Sequence, residues 1–163
     1  MTKEEIFIKM VLDAWQIQLK RTSDLFDSLS DDELMVEVSP GRNRGIYLLG
    51  HLVAIHDRML PLLGLGDPLY PQLWEPFVEK PDKETAELPA IAELRQRWID
   101  VNKNLNDKVS SFTADEWFQK HGAVSAEDFA REPHRNKLNI IVNRTAHLAT
   151  HLGQLLLLKS RNE

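Results

Sequence analysis

The chain has 163 residues, 42% hydrophobic and 28% charged, with a formal net charge of −5 and no cysteine. It is long enough to bury a core as one domain, residues 1–163, without staples. The absence of cysteine excludes disulfides, thiolate metal ligands and a protein thiol nucleophile. The acidic balance, with no basic cluster tighter than Arg42 and Arg44, argues against nucleic acid or an anionic membrane as the partner. The opening MTKEEIF lacks the basic and apolar blocks of a signal peptide. No unbroken apolar run approaches the ~18 residues of a membrane span, so a cytoplasmic location is expected.

Four helical segments follow in chain order. The first is expected over 2–29, where Ile8, Leu12, Trp15, Leu19, Thr22, Phe26 and Leu29 recur in steps of four and three. Thr2 and Glu5 have the spacing of a capping box at its start. The second, over 44–63, carries Leu48, Leu52, Ile55, Met59 and Leu62 on one face, and Pro61 is expected to kink or fray its last turn before GLGDP stops it. The third, over 89–111, opens at Pro89 and continues the stripe through Ile91, Leu94, Trp98, Val101 and Leu105. The fourth covers 137–160. The segments SLSDDEL and SFTADEW, after the first and third helices, share a pattern and a capping-box spacing. Each predicts a short extra helix, and either a duplicated helix pair or chance accounts for the likeness.

No convincing strand and no phosphate-binding glycine pattern competes, so the chain reads as all-α, a four-helix bundle. The Pro-rich stretch 64–89 is long enough to run the length of such a bundle, at up to ~3.3 Å per residue. That permits an up-down-down-up order, with a long crossover between the second and third helices.

The chemistry lies in RTAHLATHLGQLLLLK. His147 and His151 are one turn apart and share a helix face, beside the leucines Leu148, Leu152 and Leu155. Six histidines in a chain of this length put a pair four apart by chance in roughly one case in five. Two imidazoles near a core still need polar partners or an ion, so metal and packing both stay open. A third ligand is offered by His51, at the edge of the second stripe. His56 lies about 140° further round that helix and cannot easily serve the same site. Antiparallel packing of the second and fourth helices brings His51 level with His151, whereas parallel packing offsets them by roughly 6–12 Å.

The early LLGHL and the later HxxxHxGQL, read as His147, His151, Gly153, Gln154 and Leu155, resemble the DinB/YfiT-like family of four-helix bundles. The resemblance covers the whole chain in helix order. It implies a bacterial metalloenzyme in which His51, His147 and His151 hold nickel, zinc or iron, with water completing the coordination. It also implies a homodimer. Family members of understood activity transfer a low-molecular-weight thiol to a small electrophile, and related ones isomerise maleylpyruvate with a thiol cofactor. The lead-in SPGRNRGIYLLGHL departs from the Trp-Ser-rich segment common in the family, which leaves the small-molecule substrate open.

Three histidines suit a catalytic ion better than a structural zinc, which is usually closed by four protein ligands. Metal-assisted hydrolysis and a non-catalytic bundle with a structural or vestigial site are the alternatives. Bound metal requires neutral imidazole, so affinity is expected to weaken below the ~6.5 of an ordinary histidine. Gln154 is read as a helix-packing amide in preference to a partner of His151. Arg42, Asn43, Arg44 and Tyr47 lie at the metal-proximal end, as a solvated loop and cap or as binders of ligand carboxylates. Asp57 reads as half of a surface pair, not a general base. Tyr70, Trp74 and Phe77 are expected to pin the crossover, and His121 and His134 fall in a charged loop at the far end.

Overall fold

In the computed structural model of the chain, residues 1–85 and 87–159 are described. Helix α1 (Lys3–Ser28) starts under the expected capping box of Thr2 and Glu5. Its predicted stripe is buried apart from the half-buried Leu12, and it includes Thr22, whose hydroxyl donates to the Gln18 carbonyl at 2.9 Å and so hides its polarity within the helix. The two look-alike segments form α2 (Asp31–Leu34) and, further on, α6 (Ala114–Trp117), each under a reciprocal box, Ser30 with Glu33 and Thr113 with Glu116.

The second expected helix is two pieces, α3 (Gly45–Asp57) and α4 (Met59–Leu63), broken at Arg58. Pro61 has no N–H to give the Asp57 carbonyl four residues back, so the break falls before the proline, not after it. Gly64, at φ 74°, closes α4 in the left-handed conformation that a residue without Cβ adopts freely. Averaged over its length, Gly45–Leu63 is apolar enough to cross a membrane, at a mean hydropathy of 1.2, although charges interrupt it. Burial explains that composition, because 78% of its most apolar window lies inside the protein.

Helix α5 (Ile91–Val109) begins two residues later than expected, with Ala90 as its extended N-cap and Pro89 just outside. Helix α7 (Ala126–Arg131), capped by Ser125, was not foreshadowed by any periodicity. Helix α8 (Lys137–Lys159) starts where the Asn136 side chain accepts from the Asn139 N–H at 3.0 Å. The expected last residue of this helix, 160, lies outside the described residues. Among the described residues, the only extended pairing consists of two isolated bridges, Glu37 with Arg44 and Lys120 with Asn136. The chain is all-α.

Helix α1 packs along α8, and α3 against α5. The crossover returns along α3 from its end to its start. The Asp57 carboxylate accepts from the Leu69 and Tyr70 N–H groups, both at 2.7 Å. Phe77 is fully buried, the Tyr47 hydroxyl donates to the Lys80 carbonyl at 2.7 Å, and Asp82 takes both the guanidinium and the backbone N–H of Arg44. The expected pinning by Tyr70, Trp74 and Phe77 is present, with the Tyr70 hydroxyl donating to Asp100 and Arg58 stacked over Trp74. Asp57 corrects the surface-pair reading: it is 1% exposed, and the two backbone donors compensate its burial.

Candidate metal centre

Every residue of α3 from Gly45 to Asp57 is buried except His51. A helix covered on all sides has no wet face, so its one half-exposed residue marks an opening. Directly before it, Gly50 lets the crossover come close: a Cβ there would lie 2.3 Å from the Phe77 ring. Phe77 thereby packs close against α3, and its carbonyl meets His51 Nδ1 at 2.8 Å. A carbonyl only accepts. The ring hydrogen is therefore on Nδ1 and the Nε2 lone pair is bare.

On α8, His151 Nδ1 meets Gln154 Oε1 at 2.7 Å, which again places the hydrogen on Nδ1 and frees Nε2. His147 stands between the two. Its Nε2 is 3.2 Å from His51 Nε2 and 3.2 Å from His151 Nε2. The ligand atoms of the three rings all lie within 4.8 Å of one another. Two bare lone pairs and one further ring nitrogen thus face a common point. A single N–H on His147 serves one of the two contacts at a time, whereas a cation at the centre satisfies all three. His147 Nδ1 is buried with no hydrogen-bond partner among the described residues, so no acceptor holds the hydrogen of this ring on Nδ1.

Burial pushes all three imidazoles below the ordinary histidine range. His147 falls furthest, to about 4, through burial first and then its two histidine neighbours and Arg144. Neutral imidazole is the form that binds metal. Proton competition in this fold therefore starts below the ~6.5 expected for an ordinary histidine. The donor set fits a divalent first-row ion: three neutral nitrogens on one side, with no fourth histidine, aspartate or glutamate ligand in the cluster among the described residues.

A family model, the DinB superfamily, matches residues 14–155, which include all three histidines. The chain belongs to the DinB superfamily. No curated protein matches it.

The remaining residues of this DinB superfamily member fall into place around that centre. His56 points the other way, into the core between the Trp15 and Trp98 rings at 5.0 and 4.9 Å, with Nδ1 2.7 Å from Asn102 Oδ1. His121 is buried in the loop that docks on α4, where the Gly122 N–H donates to the Leu62 carbonyl at 2.8 Å, and His134 is exposed. Gln154 corrects the packing reading, because it orients His151. Arg44 and Tyr47 are engaged by the crossover and are not available to a ligand, whereas Arg42 is exposed. Two contributors escaped the sequence reading: the Phe77 carbonyl and the bare Cα of Gly50. Only the glycine left a trace, in LLGHL.

Proposed function

We propose that this protein is a divalent-metal-dependent enzyme whose ion is held by His51, His147 and His151, and that it transfers a low-molecular-weight thiol to a small electrophile. The observation that carries this reading is the convergence of three Nε2 atoms, two of them with their hydrogens held on Nδ1 by the Phe77 carbonyl and Gln154. A divalent ion supplies Lewis acidity that lowers the pKa of a coordinated water or thiol toward neutrality. The chain's own part is to keep the imidazoles neutral by burial, to aim them, and to leave one side open. With no cysteine in the chain, the thiol must come from outside. The transfer forms one carbon–sulfur bond and breaks the bond to the leaving group, and the thiol proton goes to solvent.

The reading includes a single domain arranged as an up-down-down-up bundle of α1, α3–α4, α5 and α8. Paired contacts support the directions. Arg95 donates to the Phe26 and Leu29 carbonyls, Trp98 Nε1 to Ser23, and Gln16 to Asn106, so numbers rise on α5 as they fall on α1. His56 meets Asn102 and the Leu65 carbonyl meets Lys108, a rising pair. Gly45 lies against Leu158 while His51 meets His147, a falling pair. Exposed Ile6, Phe7 and Met10 on α1, with Val142 on α8, support a homodimer. Sedimentation of a monomer at micromolar concentration would count against it.

Metal analysis of untagged protein, followed by turnover assays on small electrophiles with and without added thiol, tests the function. One equivalent of metal with thiol-dependent turnover is expected. Turnover that ignores thiol would favour metal-assisted hydrolysis, and protein without stoichiometric metal would favour a non-catalytic bundle.

A further inference from the structure

An open cleft of about 550 Å³ is walled by the loop from Val38 to Asn43 and by Gln154 and Leu157 of α8. Gln154 belongs to both the cleft and the metal centre: its amide oxygen meets His151, and its side chain lines the cleft. The loop is a built turn. The Val38 N–H donates to the Asn43 carbonyl, Arg42 N–H to the Ser39 carbonyl, and Gly41, at φ 73°, gives its N–H to the Glu37 carboxylate. Two arginines leave this turn and meet different fates. Arg44 is neutralised by Asp82, whereas Arg42 has no ion-pair partner among the described residues. Among the described residues the cleft thus holds one guanidinium without an ion-pair partner, neutral donors from Ser39 and Asn43, and short apolar stretches at Val38 and Leu157.

We propose that this cleft is the specificity subsite of the centre and takes the carboxylate of a small ligand, held by Arg42. The proposal rests on the metal reading above and adds the class of molecule. A guanidinium presents its N–H groups as a fork that matches the two oxygens of a carboxylate. One such fork with neutral amide and hydroxyl neighbours suits a monoanion better than a phosphate dianion. The apolar walls suit the short carbon chain that would carry the carboxylate away from the metal-binding end.

Two metal-binding probes of nearly equal shape make the test, butyrohydroxamate and the monohydroxamate of succinic acid, which differ in ending in methyl or carboxylate. Each is titrated into the full-length, cobalt-loaded protein, with the cobalt d–d spectrum as readout, in wild type, Arg42→Gln and Arg42→Lys. The wild type should prefer the carboxylate probe by about tenfold or more, the scale of a hydrogen-bonded charge pair. That gap should close in Arg42→Gln and persist in part in Arg42→Lys. Equal affinity for the two probes in the wild type, or a gap that survives Arg42→Gln, overturns the subsite while leaving the metal reading intact. Failure of cobalt to bind overturns both.

Discussion

The carbonyl of Phe77 stands 2.8 Å from Nδ1 of His51, so a backbone group of the crossover sets the tautomer of a side chain on α3. The contact depends on Gly50, because a Cβ at that position would meet the fully buried Phe77 ring at 2.3–2.5 Å. Gly50→Ala should therefore act twice. Overpacking should cost about 1–3 kcal/mol of stability. Displacing the carbonyl should weaken metal binding about 10–100-fold, the usual effect of losing a group that orients a ligand. Thermal melts and metal competition titrations read the two effects separately. Wild-type values for both would mean that the crossover yields and does not orient His51.

The histidines divide into two groups that metal analysis can tell apart. His51→Ala, His147→Ala and His151→Ala should each abolish tight binding, since two imidazoles rarely hold a first-row ion at cellular concentrations. His121→Ala and His56→Gln should retain the metal, because His121 docks a distant loop and His56 faces Trp15 and Trp98. If His56→Gln empties the site and His51→Ala does not, the wrong face of α3 has been chosen.

Gln154 sits 2.7 Å from His151 Nδ1 on the solvent side of the site. Gln154→Leu removes the acceptor and should lower metal affinity about tenfold, at the mild end for a ligand-orienting group because water can replace the amide. Its stability without metal should hardly move, since the side chain is exposed. An unaltered dissociation constant, measured by competition with a chelator, would return Gln154 to a surface role.

The pH dependence of the metal-free protein should carry a signature of His56. Burial lowers its pKa to about 3, whereas the unfolded chain protonates near 6.5. The folded state is thus the one that lacks the proton. The contribution of His56 to stability is intact above about pH 6.5 and falls by about 1.4 kcal/mol per unit as pH drops toward the folded value. His56→Gln should remove about one proton from the slope of unfolding free energy against pH between 6.5 and 5, measured by urea denaturation. A slope identical to wild type would mean that His56 titrates in the fold as it does in the open chain.

The long helices were legible because packing at a period of 3.6 residues leaves its mark on every turn, from Ile8 to Leu29 and from Leu94 to Leu105. The choice of His51 over His56 was legible for the same reason, as an angle on a helix. The misses have separate physical causes. Asp57 looked like surface because carboxylates are rarely buried, and nothing local announces that Leu69 and Tyr70 will bring two N–H groups to it. The Phe77 carbonyl is a group that every residue has, so only the path of the crossover makes it special. Helix α7 is too short to show a period. The break at Arg58 was displaced from its cause, because Pro61 withholds its hydrogen bond from a residue four positions earlier.

His51 and His147 are 96 residues apart in sequence, yet their ring nitrogens are 3.2 Å apart. An ion gripping both would act as a clasp between the early and late parts of a chain that has no cysteine to cross-link. Helices α3 and α8 could not separate while the clasp held. The rate of opening, and with it the exposure of the chain to proteases, would then follow the rate of metal release. A metal-replete cell would keep this protein for longer than a starved one, whatever reaction the centre performs.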